Sequence, residues 1–240
     1  MPMRIGMLEC GITPLEMQHK HGHNLDDFKS LFSAVDPNLS YSDFKAFEGE
    51  LPSRANSCDA YVITGSADAV YDRPDWMREL QGFLRNAADE KQTLLGICFG
   101  HQLLADTFGG EVEKSGKGWG IGVHNYVVNQ PMDWMDRDAE NKVKTGFSIF
   151  ATHQDQVITP PPGAQVLAGN AFCPNAMLQI NYHILSLQPH PEMSHDYGRD
   201  LLQLRRDKIG PAAVDRAIGT LGKENDRHEI AGWLVNFMRG

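Results

Sequence analysis

Two short apolar runs constrain the architecture more tightly than anything else in the sequence. Asp59–Thr64 (DAYVIT) and Thr93–Ile97 (TLLGI) carry almost no polar side chains, as strands do when both of their faces are covered. Between them Pro74 opens a stretch with Trp76, Leu80, Phe83, Leu84 and Ala87 at helical spacing. A strand, a crossover helix and a second strand make a parallel pair with a helix packed over it. The alternation extends backwards through a strand at Arg4–Cys10, a helix at Leu25–Val35 with Asn24 as N-cap, and a strand at Leu39–Phe47. It extends forwards into a short helix at Phe99–Phe108, closed by Gly109 and Gly110.

Beyond Glu111 the pattern changes to short strand candidates (GVHNYVV, GFSIFATH, AQVLAG, AMLQI and YHILSLQ) divided by glycine and proline, with PPPG at Pro160–Gly163 as a turn. Three helices close the chain, at Ser194–Lys208, Ala212–Leu221 and His228–Met238. The expectation is an α/β protein: a three-layer, open, mostly parallel sheet with helices on both faces and an added small antiparallel strand region. No repeat or linker interrupts it, so residues 1–240 are expected to form a single domain.

Thirty-one acidic residues against 22 Lys and Arg give a formal charge of −9, which disfavours nucleic acid and anionic membrane as partners. No apolar run reaches the length of a membrane span, and MPMRIGMLECG does not read as a secretory leader. Cys10, Cys58, Cys98 and Cys173 are widely spaced, which suggests neither a disulfide framework nor a zinc site. A cytoplasmic location is expected. His19, His21 and His23 (HKHGH) resemble a metal tract, but no carboxylate or cysteine accompanies them at ligand spacing, so they read as a solvated loop with no metal.

Chemistry enters at the junction of the second apolar run with its helix. In TLLGICFGHQLLADTFGG (Thr93–Gly110), Cys98 stands with Gly96 two residues before it and Gly100 two residues after it. A buried structural cysteine needs no such flanks, whereas a nucleophile elbow does, because strand and helix meet there at a turn too tight for side chains. The elbow would expose the sulfur at the carboxyl edge of the sheet, where the start of the helix favours an anion. There the Phe99 backbone N–H can point at an oxyanion.

A thiol nucleophile requires a base. His101 lies beside the elbow on its own helix and reads as packing. In QPHPEM, Pro191 keeps His190 extended, so His190 and Glu192 project to the same side at the end of a strand. A carboxylate beside an imidazole fixes its tautomer and stabilises the imidazolium. By itself the pair could equally be a surface contact; with the cysteine elbow on the same sheet edge it completes a triad.

GICFGHQLLA at Gly96, HQD at His153 and QPHPEM at Gln188, preceded by YVITGS and with GGEV after the elbow helix, resemble the class I, triad-type glutamine amidotransferase family in order and spacing. The resemblance spans about Asp59 to Met193 and includes the amidotransferase domains of GMP synthases and the γ-glutamyl peptidases. It implies a flavodoxin-like fold, a catalytic Cys98–His190–Glu192 triad and hydrolysis of the glutamine γ-amide through a cysteinyl γ-glutamyl thioester, with no cofactor. It also implies an oxyanion hole from Phe99 and the Gly65-Ser66 loop, where Ser66 replaces the second glycine of the family's Gly-Gly-Pro. Gln102, His153, Gln154 and Asp155 match positions that hold the substrate. The 240 residues contain neither a Walker A loop nor an SGGVDS-type loop. Three readings stay open: a glutaminase subunit serving a separate synthase, a γ-glutamyl peptidase acting on peptides or conjugates, and a silent interaction module. The partner is glutamine or a γ-glutamyl small molecule in the first two.

Overall fold

The computed structural model describes residues 2–137, 140–223 and 225–240. The chain runs β1 (Arg4–Leu8), α1 (Leu15–His21), α2 (Asn24–Val35), β2 (Ser40–Phe44), β3 (Ala60–Ile63), α3 (Asp75–Asp89), β4 (Thr93–Ile97) and α4 (Phe99–Thr107). It continues through β5 (Glu111–Lys114), β6 (Gly120–Val128), β7 (Gly146–His153), β8 (Asp155–Thr159), β9 (Gln165–Gly169), β10 (Met177–Ile180) and β11 (Ile184–Leu187). It ends in α5 (His195–Leu204), α6 (Arg206–Ile209), α7 (Pro211–Ile218) and α8 (Arg227–Arg239).

Nine strands form one sheet in the order β2-β1-β3-β4-β11-β10-β9-β6-β7. The first five are parallel, and the last four continue the sheet as antiparallel neighbours. The parallel part matches its sequence pattern, since every residue of β3 and β11 is buried. Successive side chains serve opposite faces. Val62 and Leu95 join Phe28 and Phe32 of α2 and Trp233 and Leu234 of α8 in one cluster. Ile63 and Leu94 join Met77, Leu80 and Leu84 of α3 and Leu104 of α4 in another. Each fully buried leucine of these clusters contributes roughly 1.5–3 kcal/mol through the apolar surface it removes from water.

Several local expectations are corrected. Asn24 is the first residue of α2, with His23 at the cap, and its side-chain amide donates to the Gly11 carbonyl at 2.9 Å. The HKHGH tract is solvated but only partly loop: His19 and His21 lie on α1, where His21 Nε2 contacts Asp200 Oδ2 at 2.7 Å beside Lys20, and exposed His23 stands between α1 and α2. The helix expected at Ser194–Lys208 breaks at Arg205, which ends α5 before α6 begins. The HQD segment leads directly into β8, which pairs with β5 in a separate two-stranded sheet. No helix among the described residues is long and apolar enough to cross a membrane.

Candidate active site

β4 delivers Cys98 to the carboxyl edge of the sheet, and α4 starts at the next residue. Cys98 has φ +53° and ψ −100°, a conformation L-residues avoid and one that costs about 1–3 kcal/mol. Its surroundings enforce it. The Cys98 N–H donates to the Leu187 carbonyl of β11 at 2.9 Å. A Cβ at Gly96 would lie 2.5 Å from the Gly100 carbonyl carbon, and one at Gly100 would lie 2.8 Å from the Ile63 carbonyl carbon of β3. The flanking glycines are therefore required by close approach of strand, helix and neighbouring strand.

Two strands away from β3, the segment after β11 supplies the partners. His190 Nδ1 donates to Glu192 Oε1 at 2.7 Å, and both side chains are buried. The His190 backbone N–H is held by the Phe150 carbonyl at 2.9 Å. Arg227 of α8 clamps the segment from behind, donating through Nε to the Pro191 carbonyl at 2.9 Å and through Nη2 to the Glu192 carbonyl at 2.8 Å. His190 Nε2 has no hydrogen-bond partner among the described residues. Burial by itself opposes a charged imidazole; the Cys98 sulfur and the Glu192 carboxylate outweigh it and push the His190 pKa up. Gly65, after β3, faces both residues: a Cβ there would lie 3.4 Å from His190 Cε1 and 3.9 Å from Cys98 Cβ.

The remaining predicted site residues converge on the same place. Gln102, one turn into α4, donates to the Asp155 carbonyl at 2.9 Å and to Gln188 Oε1 at 3.1 Å. Gln188 Nε2 in turn donates to Cys98 Sγ at 3.6 Å. No local pattern marked this fully buried glutamine as part of the site, although it opens the QPHPEM motif. His153 Nδ1 donates to the Asp155 carbonyl at 3.0 Å, and burial pushes its pKa down to about 3, so it is neutral. The Asp155 carboxylate accepts from the Tyr71 hydroxyl at 3.1 Å. Ser66 Oγ accepts from the Asp68 N–H at 3.1 Å, and neither Gly65 nor Ser66 takes a positive φ. His101 is fully buried on Ser186 Oγ at 2.8 Å and packs as expected.

Cys98 borders two cavities. One, of about 110 Å³, runs past His190 and Glu192 towards Asn24, Asp27 and Tyr197. The other, of about 210 Å³, is lined by Gln102, His153, Gln154 and Asp155. Arg205, which no sequence motif marks, lines both. A thiol beside a buried imidazole–carboxylate pair, with a helix N-terminus behind it, has the parts that acyl transfer through sulfur requires.

Residues 34–205 match the family described as glutamine amidotransferase class-I. The chain is 29% identical to γ-glutamyl peptidase 2 of Arabidopsis thaliana over 237 residues, covering 93% of this chain and 91% of that one. It is 33% identical to a glutamine-hydrolysing GMP synthase subunit from Methanocaldococcus jannaschii over 119 residues, covering 49% and 60% of the two chains. A glutamine amidotransferase structure from Thermotoga maritima superposes with a TM-score of 0.77 at 16% identity, covering 100% of both chains. One from Methylobacillus flagellatus gives 0.70 at 20% identity, covering 98% of this chain and 94% of that one. The fold, the elbow and the match over most of its length agree: this chain belongs to the class-I glutamine amidotransferase family.

Proposed function

We propose that the protein hydrolyses γ-glutamyl amide bonds through a covalent γ-glutamyl thioester on Cys98. The observation that carries this reading is the buried His190–Glu192 pair at 2.7 Å, with Nε2 unpartnered beside the strained cysteine. Cys98 Sγ attacks the γ-carbonyl carbon, and the carbonyl oxygen takes up the charge against the N–H groups of Phe99 and Ser66. His190, whose protonated form the Cys98 sulfur and the Glu192 carboxylate favour, gives its Nε2 proton to the departing amine as the C–N bond breaks. In the second half, His190 takes a proton from water as the water oxygen attacks the thioester. The C–S bond then breaks, releasing glutamate and regenerating the sulfur. Glu192 orients the ring and offsets its charge throughout. Gln102, His153, Gln154 and Asp155 form the glutamyl side of the site.

γ-Glutamyl peptides or conjugates are the favoured substrates over free glutamine. The similarity to the γ-glutamyl peptidase spans nearly both whole chains, whereas the one to the GMP synthase chain spans half of this one. The Ser66 loop, fixed by its own hydroxyl on Asp68, suits an oxyanion hole that needs no partner to form it. The test is kcat/KM of the purified protein on glutamine, glutathione and a γ-glutamyl anilide, without nucleotide, with Cys98→Ala as control. Cleavage of at least one of them, abolished in C98A, is expected. Activity that arises only with cell extract and copurifies with a second protein would replace this reading with that of an ammonia-supplying subunit.

A further inference from the structure

Arg205 and Arg206 are neighbours in sequence, both half-buried, and differ in their partners. Arg206 makes a two-pronged contact with the Asp215 carboxylate, at 2.6 and 2.9 Å. Arg205 lines the cavities at the break between α5 and α6, and among the described residues its guanidinium makes one long hydrogen bond, 3.3 Å to Thr152 Oγ1. No carboxylate among the described residues pairs with it. Burial without a counter-ion works against its charge and lowers its pKa. A guanidinium has five donors in a planar fork shaped for a carboxylate. One left largely unused at the wall of two cavities beside Cys98 is a binding group awaiting an anion.

The charges around it decide which anion. The cavity past His190 already holds the carboxylates of Asp27 and Glu192, which would repel a second anion there. The cavity lined by His153 instead adds Lys114 and Lys208 to Arg205, which together match the carboxylates of Asp68, Asp72 and Asp155 in its lining. A lining that carries both cations and carboxylates fits a zwitterionic amino-acid end, with its α-carboxylate on Arg205 and its α-ammonium on the carboxylates. Building on the γ-glutamyl reading above, we propose that Arg205 is the residue that binds the α-carboxylate of the substrate's γ-glutamyl group and so selects for that group.

A substrate pair isolates the contact. γ-Glutamyl p-nitroanilide and 4-aminobutyryl p-nitroanilide share the scissile amide and leaving group and differ only in the α-carboxylate. Arg205→Met should lower kcat/KM for the first by about 10- to 150-fold, mainly through KM, the range for a charge-assisted hydrogen-bonded contact. It should change kcat/KM for the second by less than about 3-fold, so that the wild-type preference collapses, and R205K should restore part of it. Equal losses on both substrates would show that Arg205 supports the fold or the elbow instead, and would overturn the assignment. A loss that followed the leaving-side carboxylate, in γ-glutamylglycine against γ-glutamylglycinamide, would move the anchor to the other cavity and overturn it as well. Should R205M fail to fold, R205K carries the test. Its loss must then fall on the carboxylated substrate alone, since lysine keeps the charge and lacks the fork. Wild-type protein inactive on all four compounds would refute the γ-glutamyl reading itself, an outcome distinct from activity that ignores Arg205.

Discussion

Adding one methyl group at Gly100 should damage this protein more than any change of that size on its surface. A Cβ there would sit 2.8 Å from the Ile63 carbonyl carbon and 2.9 Å from Ile63 Cβ, with the carbonyl oxygen closer still. Ordinary carbon–carbon contact begins near 3.5 Å, so α4 must retreat from β3 by about 0.7 Å or more. Forcing a group into a packed interior costs about 1–3 kcal/mol, against which alanine's better helix propensity returns at most about 1 kcal/mol. The larger effect is on chemistry. Cys98 caps α4, so the retreat shifts the sulfur relative to His190 and the Phe99 N–H. A displacement near 1 Å is worth about 100-fold in rate. Gly82 is the control: it lies in α3 with nothing within 4 Å of the added Cβ. Gly82→Ala should gain roughly 0.5–1 kcal/mol with kcat unchanged. Urea unfolding and γ-glutamyl anilide hydrolysis on both variants make the comparison. Wild-type stability and activity in Gly100→Ala would refute the close-approach account of the elbow.

Two further outcomes follow from the buried imidazoles. His190→Ala should lose about 10³-fold or more of kcat and Glu192→Gln about 10²-fold, because a misoriented base retains some basicity; the reverse order in steady-state assays would exchange their roles. His101 and His153 are held at about pH 3 by burial, while in the unfolded chain they protonate near 6.5. Their folded pKa lies below the unfolded one, so as pH falls under 6.5 only the unfolded state gains their protons. Stability should drop by about 1.4 kcal/mol per pH unit for each between pH 6.5 and 3. Urea unfolding from pH 7 to pH 5 should show this loss, and below pH 6.5 His101→Asn should lose about 1.4 kcal/mol less per pH unit than the wild type.

The parallel half of the fold was legible because Ala60–Ile63 and Leu94–Ile97 bury both faces and carry polar residues only at the ends of their runs. The elbow was legible for the same local reason: its glycines, its strand and its helix are contiguous in sequence. His190 and Glu192 could be paired because the proline between them dictates extended backbone. What escaped was tertiary. α1 buries only Met17 of its residues, so no apolar stripe marks it, and HKHGH reads as loop. β8 is set by its pairing with β5, which lies more than forty residues earlier in the chain. The place of Arg205 at the two cavities has no local signal in LRRDKIG, where both arginines look solvated. Gln188 reaches Cys98 only because β11 and β4 are neighbours in the sheet.

The central claim is that Cys98 carries the γ-glutamyl group, and an active-site label tests it most directly. Burial raises the pKa of Cys10 and Cys58 and pushes that of Cys173 up to about 12, so these three thiols stay protonated and shielded. A glutamine-mimicking α-amino chloroketone, followed by peptide mapping, should place one label on Cys98 in step with loss of activity, and excess substrate should slow it. A label on Cys10, Cys58 or Cys173 that accompanied inactivation, or full activity in Cys98→Ala, would contradict the account.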